Sequence, residues 1–264
     1  MSDTMAPICA DLRAEHDALD EVVADLPAEA WDRDTPADGW SIRDTIGHLA
    51  YFDGTATTAA LEPELFRIEV EAALSGEKDL MAEHVRMGRE LDAADVLSWW
   101  RERRTGLLDA LEPLDPSERL PWYGPPMGAR SFATARLMET WAHGQDVVDA
   151  LGADRPATDR LRHVAHIGVR ARPFAYATNQ RELPDAEIRV ELTSAGGEVW
   201  TWGPDDADDV VRGGALDFCL VVTQRRHPDD VALDVVGPAA NDWISIAQAF
   251  AGPPGGGRAP GQFA

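Results

Sequence analysis

The feature that most restricts the fold of this chain is a helical spacing of apolar residues that runs through its N-terminal half. Ile8, Leu12, Leu19, Val22 and Leu26 recur at helical intervals until Pro27 interrupts them. The stretch "TPADGWSIRDTIGHLAYFDGTATTAAL" follows. In it Ser41 and Asp44 have the spacing of a capping box, and Ile42, Ile46, Leu49, Ala56 and Ala60 form the stripe of a second helix. A third helical region is expected from Glu64 through Glu90, interrupted near Ser75 and Gly76. A fourth runs from Asp95 to Leu111, carried by Val96, Trp100, Leu107, Leu108 and Leu111. The Pro- and Gly-rich segment "EPLDPSERLPWYGPPMGAR" reads as an irregular connection. A long helix from Ser131 to Leu151 closes the series, with Gly152 as its stop. This pattern predicts an up-down helical bundle with one long loop.

After Pro156 the texture changes. "ATDRLRHVAHIGVRARPFAYA" reads as one more helix, broken at Pro173. In "EIRVELTSAGGEVWTWG" the alternation of Ile188, Val190 and Leu192 before a Gly-Gly turn predicts a hairpin. "GGALDFCLVVTQRR" has helical spacing, "DVALDVVGP" is a short strand and "AANDWISIAQAF" a final helix. The order β-β-α-β-α predicts a small α+β domain. The expected organisation is therefore a helical bundle over residues 1–155, an α+β domain over 156–252 and a mobile tail over 253–264.

Charge narrows the function. The 264 residues carry 47 acids against 24 Lys and Arg, a formal net charge of −23. Nucleic acids and anionic membranes are thereby excluded as expected partners, because phosphate binding needs clustered bases. No apolar run approaches the roughly 18 residues of a membrane span. No basic-then-apolar leader precedes Cys9, and Cys9 and Cys219 make no disulfide framework. A cytoplasmic protein is expected. Nine Trp and a hydrophobic fraction of 44% are enough for real cores.

The segment "METWAHGQD" raises a sharper question. On a helix, Glu139, His143 and Asp146 share one sector with Arg136, opposite Leu137, Trp141 and Val148. Either that sector is wet and laced with ion pairs, or it holds something that offsets the desolvation. His48 flanks the apolar stripe of the second helix, where it is a satisfied core residue or a ligand. One His and a Glu-x-x-x-His pair from two helices are the make-up of a bundle-core metal site. The residues alone leave both readings open.

"GWSIRDTIGHLAYFD" and "SFATARLMETWAHGQDVVDALG" resemble the mycothiol-dependent maleylpyruvate isomerase family, and most closely a subgroup described only as metal-binding. "FCLVVTQRRHPDDVALDVVGP" is similar to that family's smaller, sterol-carrier-protein-like domain. The resemblance implies a DinB-like four-helix bundle followed by a small α+β domain. It implies metal ligands at His48, Glu139 and His143, and a divalent metal, most simply Zn²⁺, with an open position. It also implies mycothiol as cosubstrate, bound as thiolate and attacking an electrophilic small molecule, in an isomerase or an S-transferase. Asp146 is the candidate partner for a ligand imidazole. The family places an arginine at the end of the "FCLVVTQ" helix, which makes Arg225, or in the next register Arg226, the candidate clamp for a substrate carboxylate. Trp122, Tyr123 and Met127 are expected to cover the pocket, whereas His16 and His84 read as structural or solvated. Two other readings stay open: a metal-dependent hydrolase or non-haem-iron enzyme on the same site, and a non-catalytic protein that binds metal and a small ligand. Monomer and homodimer are both compatible with the sequence.

Overall fold

The structure is a computed structural model and describes residues 4–75 and 80–263. Gly76, expected to interrupt the third helical region, lies outside the described residues. The chain divides into two compact units, Met1–Asp154 and Arg155–Ala264.

The first unit runs α1 (Ala6–Val23), a 3-10 turn (Ala28–Asp32), α2 (Ile42–Leu61), α3 (Pro63–Leu74), α4 (Leu80–Arg89), α5 (Ala93–Leu111), the short antiparallel pair β1 (Arg119–Leu120) and β2 (Met127–Gly128), then α6 (Ala129–Leu151). The four long helices form a bundle in which α1 and α2 each pack on both α5 and α6. The two short helices α3 and α4 link α2 to α5 and lie against α2. Local chemistry sets the ends. Ser41 starts α2 with both bonds of a capping box, and the Asp92 side chain caps α5 by accepting from the Asp95 N–H at 2.9 Å. Gly152 ends α6 in the left-handed region, φ 62°, where a Cβ would be strained. The core of Leu19, Val23, Trp31, Ile42, Ile46, Leu49, Val96, Trp100 and Val147 takes Leu19, Ile42, Ile46, Leu49, Val96 and Trp100 from the expected stripes and adds Val23, Val147 and, from the 3-10 turn, Trp31. Truncating Ile46 or Leu49 to Ala would cost about 2–5 kcal/mol.

Helix α6 departs from the two-faced helix suggested by its wheel. Phe132, Arg136, Leu137, Met138, Trp141, Asp146 and Val148 are all buried, because α1 covers one side and α2 another. Its polar sector is therefore not a wet face. Asp53 on α2, fully buried, accepts from Arg136 Nε and Nη2 at 3.1 and 2.9 Å. Removing either partner would leave an uncompensated charge in the core, at about 3–5 kcal/mol. His16 joins this cluster, with Nε2 at 3.7 Å from Asp53 Oδ2 and its ring edge-on to Trp100.

The second unit holds α7 (Leu161–Arg170), α8 (Arg172–Thr178), β3 (Ile188–Thr193), β4 (Val199–Trp202), β5 (Asp209–Gly214), α9 (Ala215–Val222), β6 (Leu233–Val236) and α10 (Pro238–Ile244). Its sheet has the order β4-β3-β5-β6, with β3 and β5 parallel and the other pairs antiparallel. The expected order β-β-α-β-α is corrected to β-β-β-α-β-α. The missing strand, β5, follows the acidic run "PDDADD" and ends in Gly-Gly, so only Val210 and Val211 mark it. Its place beside β3, remote in sequence, buries those two valines. The α7–α8 break falls at Ala171, and Pro173 sits in the first turn of α8, where a missing N–H costs nothing. Gly261 N–H donates to Asp230 Oδ1 at 2.7 Å, and the Phe263 ring lies under the Arg226 guanidinium, so the segment expected to be a mobile tail contacts this unit. No helix among the described residues is long and apolar enough to cross a membrane.

The His16 environment fixes a pH dependence. Burial, reinforced by the Arg104, Arg136 and Arg13 charges, holds its imidazole well below the ordinary value of 6.5, so it is neutral in the folded protein. The unfolded chain takes up a proton there as pH falls through that value, and stability is lost below it. Urea unfolding between pH 7 and 5 should show a loss of up to about 1.4 kcal/mol per pH unit from this group. His16→Gln should flatten the slope by that amount, and an unchanged slope would refute the buried neutral imidazole.

Candidate metal centre

Two helices bring three candidate ligands to one point. The capping box starts α2 so that His48 lies in its second turn, on the flank of the Ile42–Ile46–Leu49 stripe. On α6 the four-residue spacing puts Glu139 and His143 one above the other on the side that meets α2. One ligand atom from each of His48, Glu139 and His143 lies within 4.8 Å of the others, and all three side chains are half-buried. Glu139 Oε2 and His143 Nε2 are 3.4 Å apart. Tetrahedral zinc with bonds of about 2.0–2.1 Å has an edge of about 3.4 Å between ligand atoms, so this pair fits the ion as it stands.

The surroundings of the three residues are equally specific. Asp146, fully buried, places Oδ2 at 3.4 Å from His143 Nδ1, leaving Nε2 turned toward Glu139. A solvated surface acid is thus excluded for Asp146. His84, on α4, places Nε2 at 3.3 Å from His48 Nδ1 and is fully buried. The expectation of a merely structural or solvated His84 missed this contact, because 36 residues separate it from His48. The only sequence signal for it was a histidine in a helix of uncertain register.

Trp40 and Phe52 wall the site. The Trp40 ring stacks on His143 at 5.8 Å and 12°, and lies 5.0 Å from His48. It is delivered by the turn after Thr35, whose N–H and hydroxyl both donate to the Trp40 carbonyl. Phe52, one turn beyond His48, approaches that ring to 4.7 Å. Behind Phe52 stand Trp122 and Tyr123 of the loop between α5 and α6, with Trp122 stacked on Phe66. Burial pushes the Tyr123 hydroxyl well above its ordinary value. Met127 is half-buried in β2.

Neither cysteine is a ready nucleophile. Burial, with Glu112 nearby, pushes the Cys9 thiol up to about 11, and complete burial holds the Cys219 thiol well above its ordinary value. Arg225 belongs to the second unit, just past α9. Its N–H bonds the Leu220 carbonyl and its guanidinium reaches the Thr223 carbonyl at 2.6 Å. Arg226 Nη1 donates to the Arg225 carbonyl at 2.7 Å.

Residues 12–148 match the family model of the mycothiol maleylpyruvate isomerase N-terminal domain, just over half of the chain. The chain belongs to this family. Residues 184–235 match a second model, described as wyosine base formation. Two uncharacterized proteins of Mycobacterium tuberculosis, from strains H37Rv and CDC 1551, are each 47% identical over 252 residues, covering 96% of this chain and 98% of theirs. Crystal structures of the mycothiol-dependent maleylpyruvate isomerase, one of them a histidine-to-alanine mutant, align with a TM-score of 0.56 at 16% identity. The alignment covers 84% of this chain and 90% of theirs. At that identity the likeness is one of fold.

The geometry leads to a graded expectation for metal content. Purified protein should carry about one divalent metal per chain, and His48→Ala and His143→Ala should each lose it while keeping their helical circular dichroism. Asp146→Asn should bind metal about 10–100-fold more weakly, as loss of an imidazole's carboxylate partner does. Elemental analysis after chelator challenge distinguishes the two grades, and full retention in both histidine variants would refute the ligand assignment.

Proposed function

We propose that the protein is a metal-dependent enzyme that uses a low-molecular-weight thiol, mycothiol by family membership, as nucleophile toward a small electrophile, in an isomerisation or an S-transfer. The convergence of His48, Glu139 and His143 on one point inside the bundle is the observation that carries this reading. Zinc held by two neutral imidazoles and one carboxylate would keep a net positive charge and an open position, and would favour thiolate over thiol.

The chain's own groups set the conditions for that chemistry. Asp146 orients the His143 ring, and a single carboxylate among the ligands leaves the centre attractive to an anionic sulfur. The Trp40 and Phe52 rings pack on the flanks of His48, and apolar surroundings strengthen electrostatic interactions. Because both cysteines are buried and protonated, the sulfur nucleophile has to be brought by a cosubstrate. An anionic electrophile is repelled by a chain of net charge −23 and needs a local cation. Arg225 is proposed for that part, as a fork that pairs with a carboxylate.

Cobalt substitution tests the thiol. The cobalt-loaded protein should develop a sulfur-to-metal charge-transfer band on adding mycothiol, and the band should be absent from His48→Ala. Saturating thiol without a band, with cobalt confirmed bound, would shift the reading to a metal-dependent hydrolase or oxygenase.

Arg225→Ala should leave metal content and the thiol band unchanged while lowering turnover of a carboxylate substrate about 100-fold or more. Arg225→Lys should recover only part, since a point charge does not reproduce the fork. The same behaviour in Arg226→Ala instead would move the assignment by one residue.

A further inference from the structure

The hydrogen-bond contact between His48 and His84 is built by a helix that the three candidate ligands do not use. Helix α4 is held to the first half of α2 by two devices. Arg89 Nε and Nη2 donate to the two carboxylate oxygens of Asp44 at 2.8 and 2.9 Å, and Asp44 is itself fixed by the capping box. Three residues further along α2, Gly47 faces Gly88. A Cβ on Gly47 would meet the Gly88 Cα at 3.2 Å, so no side chain stands between the helices there. Gly47 adjoins His48, and Gly88 lies one turn from His84. Close backbone approach at the glycines lets His48 Nδ1 and His84 Nε2 come within 3.3 Å of each other.

His84 has no room to turn away. It is fully buried in a collar formed by Trp40 at 5.5 Å, Phe52 at 5.6 Å and Tyr51 at 5.8 Å between ring centroids. Two imidazole nitrogens at hydrogen-bond distance need one proton between them, one ring donating and the other accepting. A metal-binding imidazole spends the lone pair of one nitrogen on the ion and carries its proton on the other. On α6 this division is already drawn, with His143 Nδ1 toward Asp146 and Nε2 toward Glu139. The His48–His84 contact repeats it on α2, with Nδ1 as the nitrogen turned outward.

Resting on the metal-site reading, we propose that His84 is a positioning residue that accepts the His48 Nδ1–H proton in a hydrogen bond and so presents Nε2 of His48 to the ion. The two ligand imidazoles then have different supports, an anionic one behind His143 and a neutral one behind His48. A neutral acceptor orients the ring without adding a second negative charge beside the ion, which keeps the centre receptive to an anionic ligand.

The test uses the full-length protein with zinc and two readouts. In zinc affinity measured by chelator competition, His84→Leu should bind about 10–100-fold more weakly than wild type, and His84→Gln, whose amide oxygen can accept in place of Nε2, should recover most of that loss. Both should still take up one zinc at saturation. In zinc-loaded wild type, nitrogen-15 spectra of the imidazoles should show His48 protonated at Nδ1 and metal-bound at Nε2, a readout that needs no variant to fold. Wild-type affinity in His84→Leu overturns the proposal, as does zinc on Nδ1 of His48. Loss of zinc in His84→Leu as complete as in His48→Ala also overturns it and makes His84 a ligand. Zinc retained by both His48→Ala and His143→Ala overturns the metal-site reading itself, whatever His84 does.

Discussion

Ionisable side chains inside a helical bundle have to find partners, because desolvation without pairing costs several kcal/mol per charge. Helices α2 and α6 carry enough of them to make this the governing constraint of the first unit. At one level Asp53 and Arg136 pair through two hydrogen bonds to Asp53 Oδ1, with His16 beside them as a neutral ring. Along the same two helices, His48, Glu139 and His143 converge on one point. Asp146 and His84 back two of the three, so the polar groups form an ordered shell around one point. The apolar packing of α1 and α5 against these helices holds that shell in register.

The same constraint separates what membership of the family carries from what the residues carry. A TM-score of 0.56 at 16% identity is agreement of fold, and one fold hosts many chemistries. The case for thiol chemistry rests on a candidate ligand set with one carboxylate, on aromatic rings packed beside it, and on two protein thiols that burial keeps protonated. Each of these is a local property of named side chains. In the second unit the four-stranded sheet carries the ion pairs of Glu191 with Arg189 and Arg212, and Arg225 and Arg226 stand just past α9.

The sequence by itself determined the long helices and their caps, and its resemblance to a known family singled out His48, Glu139 and His143 as candidate ligands. Periodicity and capping are local, so Ser41, Asp44 and Gly152 could be read within a few residues, and the Glu139–His143 spacing needs only the helical repeat. Three features were decided by tertiary structure. Strand β5 owes its existence to parallel pairing with β3, since Val210 and Val211 are too few to mark a strand between an acidic run and two glycines. The burial of Asp146 and Arg136 depends on α6 being enclosed by α1 and α2, whereas a wheel shows only which residues share a side. His84 meets His48 because Gly47 and Gly88 let two helices touch, and nothing in either helix alone records which glycine will face which. Contacts between residues distant in the chain are set by packing, and packing is a property of the assembled helices.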